Sequence, residues 1–266
     1  MLDDTTADQV RAFFSQHPVL GRYTDQVCVA LTGSFAVGLG GKGADVDAKV
    51  LCPPAIYEVV KRELIAGGRV READEPEEEF TDIVGDYTLE SLSTIWRKVQ
   101  AYDDMTPLFV YGSLVYLAGN RDLLDPLVSH CRSVPPTVLQ QEIDRERVVM
   151  GQGLYAFLRS FQNADTMARM LARAGMIRSA MRLAFLVQGS APPYDKHLFR
   201  LLHRTTHGVQ MAELIQRFAS DSSDAVDDAA DAAVAASEDW HAMYAAATET
   251  PAFRFHGAAL RLLGVR

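Results

Sequence analysis

The chain has 266 residues, 48% of them apolar, enough for a substantial core in one large domain or two small ones. Its 35 acidic and 26 basic side chains leave a formal net charge of −9, which argues against a broad surface for long nucleic acid. No apolar run approaches the ~18 residues of a membrane span, and the acidic start lacks the apolar segment of a secretory leader, so a soluble cytoplasmic protein without a membrane partner is expected.

Along the chain, Thr6-Ala7-Asp8-Gln9 has the form of a capping box, followed by Val10, Phe13 and Phe14 on one helical face. The run 27–34, VCVALTGS, reads as a buried strand, and 45–51, DVDAKVL, alternates as a second one. The tight glycine-rich link between them suits an antiparallel hairpin. Pro53-Pro54 opens a helix carrying Ile56, Val59, Val60 and Leu64, which Gly67-Gly68 ends. The acidic run Glu72 to Glu79 reads as a solvated loop or hairpin tip. Residues 82–92 read as a further strand, and 107–127 as a strand pair turning near Gly112 and Gly119-Asn120.

From Pro135 the pattern becomes helical almost throughout, including the Ala- and Asp-rich stretch 222–249. Arg169, Arg173, Arg178 and Arg182 read as neighbours on a solvated helix face, and Met170, Leu171, Met181, Leu183 and Phe185 as core. The expected fold class is α+β: a mixed β-sheet domain with flanking helices over 1–133, then a helical bundle over 134–266. Cys28, Cys52 and Cys131 are odd in number and two lie in apolar runs, so buried free thiols are expected. The seven histidines are scattered without a metal-binding spacing, and none is assigned a catalytic role.

The stretch 31–51 carries the chemistry. Strand alternation puts Asp45, Asp47 and Lys49 on one face, with the two aspartates ~6.6 Å apart along the strand. That spacing suits a pair of divalent ions ~3.5–4 Å apart, and two facing carboxylates need such an ion or a basic partner. Gly33, Gly38, Gly40, Gly41 and Gly43 let the preceding backbone approach a ligand closely, and exposed amides there form an anion-binding concavity to which Ser34 adds a hydroxyl. Neither the P-loop nor the dinucleotide-binding spacing is present.

Gly33-Ser34, ten residues, then Asp45-x-Asp47 resembles the signature of the polymerase-β-type nucleotidyltransferase superfamily. The resemblance implies that Gly33 and Ser34 hold nucleotide phosphates and that Asp45 and Asp47 bind two Mg²⁺ ions. A third acid from a later strand would complete the metal cluster and serve as base toward the acceptor hydroxyl. Glu90 fits that pattern best, with Asp86 and Asp82 as alternatives; Glu90 could instead cap the following helix. The serine common before the first acid is Ala44 here.

The helical half resembles that of small aminoglycoside- and lincosamide-like nucleotidyltransferases, where a Pro-Tyr-x-Lys element follows an apolar helix. The corresponding Lys196 would bind the triphosphate, its alternative being a lysine reaching out from a surface helix. Asn163-Ala164-Asp165 stands where that subgroup has an Arg-Gly-Asp-like turn, so Asp165 reads as a helix cap. By this resemblance, 1–133 is the catalytic domain and 134–266 a substrate-binding domain. The implied reaction is transfer of a nucleoside monophosphate, AMP expected, from an NTP to a hydroxyl of an antibiotic-like or biosynthetic small molecule, releasing pyrophosphate. A protein-modifying, antitoxin-like transferase and an inactive nucleotide-binding protein are the alternatives.

Overall fold

The computed structural model describes residues 4–41, 46–67, 78–82, 85–220, 234, 248 and 250–265. The chain divides into two compact units, Met1–Ser133 and Val134–Arg266.

The first unit is built on a five-stranded mixed sheet. Its strands are β1 (Cys28–Leu31), β2 (Ala48–Cys52), β3 (Glu78–Asp82), β4 (Gly85–Ser91) and β5 (Val115–Gly119), in the spatial order β3-β4-β2-β1-β5. β1 pairs antiparallel with β2 and β5, and β3 with β4, while β2 and β4 run parallel with Ala48 opposite Tyr87. The expected β1–β2 hairpin is present, but its link is more than a glycine turn. Gly33–Ala36 forms one helical turn, α2, so β1 ends three residues before Ser34.

Alternation divides each strand between two faces. Val29 and Leu31 of β1, Ala48, Val50 and Cys52 of β2, and Tyr87 and Leu89 of β4 join one buried core. Val10 and Phe14 of α1 (Asp4–Gln16) and Val60 and Leu64 of α3 (Pro54–Ala66) complete it. Fully burying each valine, leucine or phenylalanine among them is worth ~1.5–3 kcal/mol. The helix α3 starts at the expected prolines, and Gly67 closes it by donating its amide to Glu63 O. α1 begins at Asp4, which places Thr6 inside the helix rather than at its cap. His17 is structural: its Nδ1 accepts the amides of Val19 and Leu20, and its Nε2 lies 3.3 Å from the Tyr87 hydroxyl.

The segment 107–127 is not a strand pair. Met105–Gly112 is a helix, α5, following α4 (Leu92–Ala101), and only Val115–Gly119 is extended before α6 (Asp125–Arg132). The aromatic and β-branched run Leu108 to Tyr111 favours a strand locally. Asp104 overrides that by capping the helix, its Oδ1 accepting from Thr106 N at 2.9 Å, and Met105, Leu108, Tyr111 and Gly112 then share the buried side at helical spacing. Of the acidic run, Glu78 and Glu79 are strand residues of β3 opposite Leu89 and Thr88, and 72–77 lie outside the described residues.

The second unit is helical: α7 (Pro136–Gln162), α8 (Thr166–Leu186), α9 (Asp195–Leu202), α10 (Gly208–Ser220) and α11 (Pro251–Leu262). α7 and α8 form an antiparallel hairpin, with Arg182 on Glu146 and Arg169 on Ser160 at its two ends. Asp165 caps α8 by accepting from Ala168 N at 2.9 Å. Phe157, Phe218 and Phe255 pack in the core, the last two stacked at 4.4 Å. The arginines of α8 do not share a face: at 100° per residue, Arg169 and Arg173 lie roughly opposite Arg178 and Arg182. Arg182 is buried with Glu146, and Arg173 lies over Phe157 and Phe218. Met170 and Leu171, expected in the core, are exposed, whereas Leu183 and Phe185 are buried as expected. Apart from Val234 and Thr248, the stretch 222–249 lies outside the described residues. Among the described residues no helix is long and apolar enough to cross a membrane.

Candidate functional site

The β1–β2 hairpin assembles the first part of the site. Its pairing continues one step past β1, where Thr32 donates its amide to Asp47 O at 2.9 Å. Gly33 then takes φ +64°, a left-handed conformation that turns the chain from β1 into α2. This backbone lies directly against the Asp47 side chain. A Cβ on Gly33 would overlap Asp47 Oδ2 and stand only 3.1 Å from its Cγ and 3.3 Å from its Cβ. Glycine at 33 is therefore required twice, by the dihedral and by the carboxylate. Ser34 follows in the turn, and its carbonyl accepts the amides of Leu39 and Gly40 at 2.8 and 3.0 Å, closing the loop over α2. The amides at the start of such a turn have no acceptor within it. Gly40 is fixed by packing, since a Cβ there would collide with the Phe35 ring.

Glu90 occupies the second part. In the parallel ladder Lys49 is opposite Thr88, and Leu51 opposite Glu90, on the sheet face away from the α1–α3 core. Glu90 is 6% exposed. Its Oε1 pairs with the Lys49 ammonium and accepts from Thr88 Oγ1 at 3.2 Å, and its Oε2 accepts from the Tyr111 hydroxyl of α5. The same ammonium lies 5.6 Å from the Tyr111 ring centroid. These bonds point away from helix capping: α4 starts at Leu92, and Ser91 holds its N-cap position without a side-chain hydrogen bond to the helix.

Gly33, Ser34 and Asp47 are thus gathered at one end of the hairpin, and Glu90 is joined to Lys49 two residues beyond Asp47 on β2. Asp45 lies outside the described residues. The two alternatives to Glu90 separate onto different strands: Asp82 ends β3, opposite Gly85, and Asp86 is in β4, opposite Thr81. Their side chains lie outside the described residues. Among the described residues, no group of three His, Cys, Asp or Glu could hold a metal ion. Asp47 against a bare glycine backbone nevertheless fits one half of a carboxylate pair. Lys196 belongs to the second unit, exposed in the first turn of α9, with its ammonium 5.2 Å from the Tyr194 ring centroid.

Thr88 and Tyr111 belong to no motif of the sequence, and the pattern puts Lys49 on the face of Asp45 and Asp47 without pointing to Glu90 as its partner. The alternation of β4 was a usable signal for Thr88. Tyr111 had none, because its segment reads as a strand.

No protein-family model matches the chain, and no curated protein matches it. Among solved structures it is similar to the crystal structure of a nucleotidyltransferase-like protein from Exiguobacterium sibiricum 255-15, at 9% identity and a TM-score of 0.45, covering 98% of this chain and 76% of that one. At that likeness no residue acquires a role from the match.

Proposed function

We propose that the protein is a Mg²⁺-dependent nucleotidyltransferase that moves a nucleoside monophosphate, AMP in the first instance, from an NTP to a hydroxyl of a small molecule. The observation that carries this reading is the Asp47 carboxylate packed on the backbone of Gly33, with Ser34 next in the turn. It sets a carboxylate, the kind of group that ligates hard cations, beside a glycine turn of the kind that suits triphosphate oxygens. Held by Asp45 and Asp47, Mg²⁺ would supply charge neutralisation at the phosphates. Gly33 and Ser34 would orient the triphosphate so that the acceptor oxygen attacks the α-phosphorus in line. As that P–O bond forms, the bond to the bridging oxygen breaks and pyrophosphate leaves with the electron pair. Glu90 would take the acceptor's proton.

Incubation with ATP labelled at the α-phosphate, Mg²⁺ and pooled hydroxyl compounds tests the proposal. Label appearing in a small molecule, with release of pyrophosphate, is the expected result. Label on protein alone supports the protein-modifying alternative, and no transfer to either kind of acceptor rejects the enzyme reading.

A further inference from the structure

The Lys49–Glu90 pair is an unusual thing to build into the middle of a sheet. Both side chains are nearly buried, at 12% and 7% exposure, on the adjacent strands β2 and β4. Desolvating two charges offsets most of what their attraction contributes, and apolar residues of similar volume would serve stability as well or better. The pair stands one strand repeat from Asp47, ~6.6 Å along β2. Its influence therefore falls on the candidate site.

The hydrogen-bond inventory of Glu90 limits what it can do there. An ionised carboxylate offers about four lone-pair sites. Lys49 and Thr88 occupy two on Oε1 and Tyr111 one on Oε2, which leaves a single site, on Oε2. One site suffices to accept one hydroxyl proton. Ligation of an ion as well would require expelling Tyr111 or Lys49, leaving a buried hydroxyl or a buried ammonium without its carboxylate. The charge count agrees: the negative charge of Glu90 is already balanced by Lys49, whereas a metal ligand must offer its charge to the ion.

We propose that Lys49 is a positioning residue that, together with Tyr111, withholds Glu90 from the divalent-ion set and holds its remaining lone pair for the acceptor hydroxyl. This rests on the nucleotidyl-transfer reading above. It narrows the expected three-acid metal cluster to the Asp45–Asp47 pair and separates ion binding from proton acceptance.

The test is Mn²⁺ affinity in the presence of a non-hydrolysable ATP analogue, read by electron paramagnetic resonance, with steady-state transfer measured in parallel. Replacing the whole pair, Lys49→Met with Glu90→Gln, removes one positive and one negative charge and leaves no buried ion alone. Its Mn²⁺ affinity should stay within about twofold of wild type, whereas Asp47→Asn should weaken it at least about tenfold, as loss of a ligand does. Turnover of the pair variant should collapse with KM for the NTP unchanged. Lys49→Met alone frees the carboxylate and should tighten Mn²⁺ binding several-fold, an effect abolished by adding Glu90→Gln. Lys49→Arg should keep both properties near wild type. A pair variant that loses Mn²⁺ as Asp47→Asn does makes Glu90 a ligand and overturns the proposal while the nucleotidyl-transfer reading stands. If Lys49→Met fails to fold, the pair variant decides alone. Wild-type protein that binds no Mn²⁺ with the analogue overturns that reading and this proposal together.

Discussion

Replacing Gly33 by alanine should damage the site through two separate causes. The residue sits at φ +64°, where a side chain costs ~1–2 kcal/mol. The new methyl would also overlap Asp47 Oδ2, with Cγ at 3.1 Å and Cβ at 3.3 Å too close to be spared by rotating the carboxylate tip alone. The whole Asp47 side chain must move, so stability and ion binding should fall together. Urea unfolding should register a loss of ~1–3 kcal/mol, and Mn²⁺ titration a loss of about tenfold or more, as for a displaced ligand. Gly41→Ala is the internal control, because among the described residues nothing lies within 4 Å of a Cβ built there. Wild-type stability and Mn²⁺ affinity in Gly33→Ala, indistinguishable from Gly41→Ala, would refute the packing of Asp47 on this turn.

Elsewhere, Leu89→Ala removes a buried core side chain of β4 and should cost ~2–5 kcal/mol in denaturant unfolding; a loss below 1 kcal/mol would place the core wrongly. Burial pushes the thiols of Cys28, Cys52 and Cys131 up to about 12, so none should react with an aromatic disulfide reagent in the native protein, and all three should react in denaturant. His197 is held below its ordinary value by burial, with Lys196 and Arg200 adding to the effect, and His256 by burial. Each therefore stays neutral in the folded state where the unfolded chain already takes up a proton. Their contribution is complete above about pH 6.5 and declines as pH falls from there to the folded-state values. Stability curves at pH 7.5, 6.5 and 5.5 should show that decline, flattened in His197→Phe; an equal slope in the variant would contradict it.

The parts of the fold that could be read from the chain were those where local and tertiary preferences agree. β1 and β2 alternate or are wholly apolar, Pro54 and Gly67 bracket α3, and Asp165 caps α8. Reading failed where one signal outvoted another. The run around Phe109-Val110-Tyr111 looks extended, and only the cap at Asp104 and the spacing of Leu108 and Gly112 reveal the helix. On α8, closeness in sequence suggested one basic face, while the helical repeat sends Arg182 inward to Glu146. The candidate site divides in the same way. The gathering of Gly33, Ser34 and Asp47 is legible because it depends on a short contiguous stretch of chain. The surroundings of Glu90 depend on parallel pairing of β2 with β4 and on a tyrosine from α5, neither of which leaves a local trace.

The most direct test of nucleotide handling is titration calorimetry of a non-hydrolysable ATP analogue with and without Mg²⁺, on wild type and on the Asp45→Asn, Asp47→Asn double variant. Wild type should bind only with Mg²⁺, and the double variant, folded by circular dichroism, should show no Mg²⁺-dependent binding. Equal Mg²⁺-dependent binding by the two proteins, or none by wild type, would contradict the assignment of the Gly33–Asp47 hairpin as a nucleotide site.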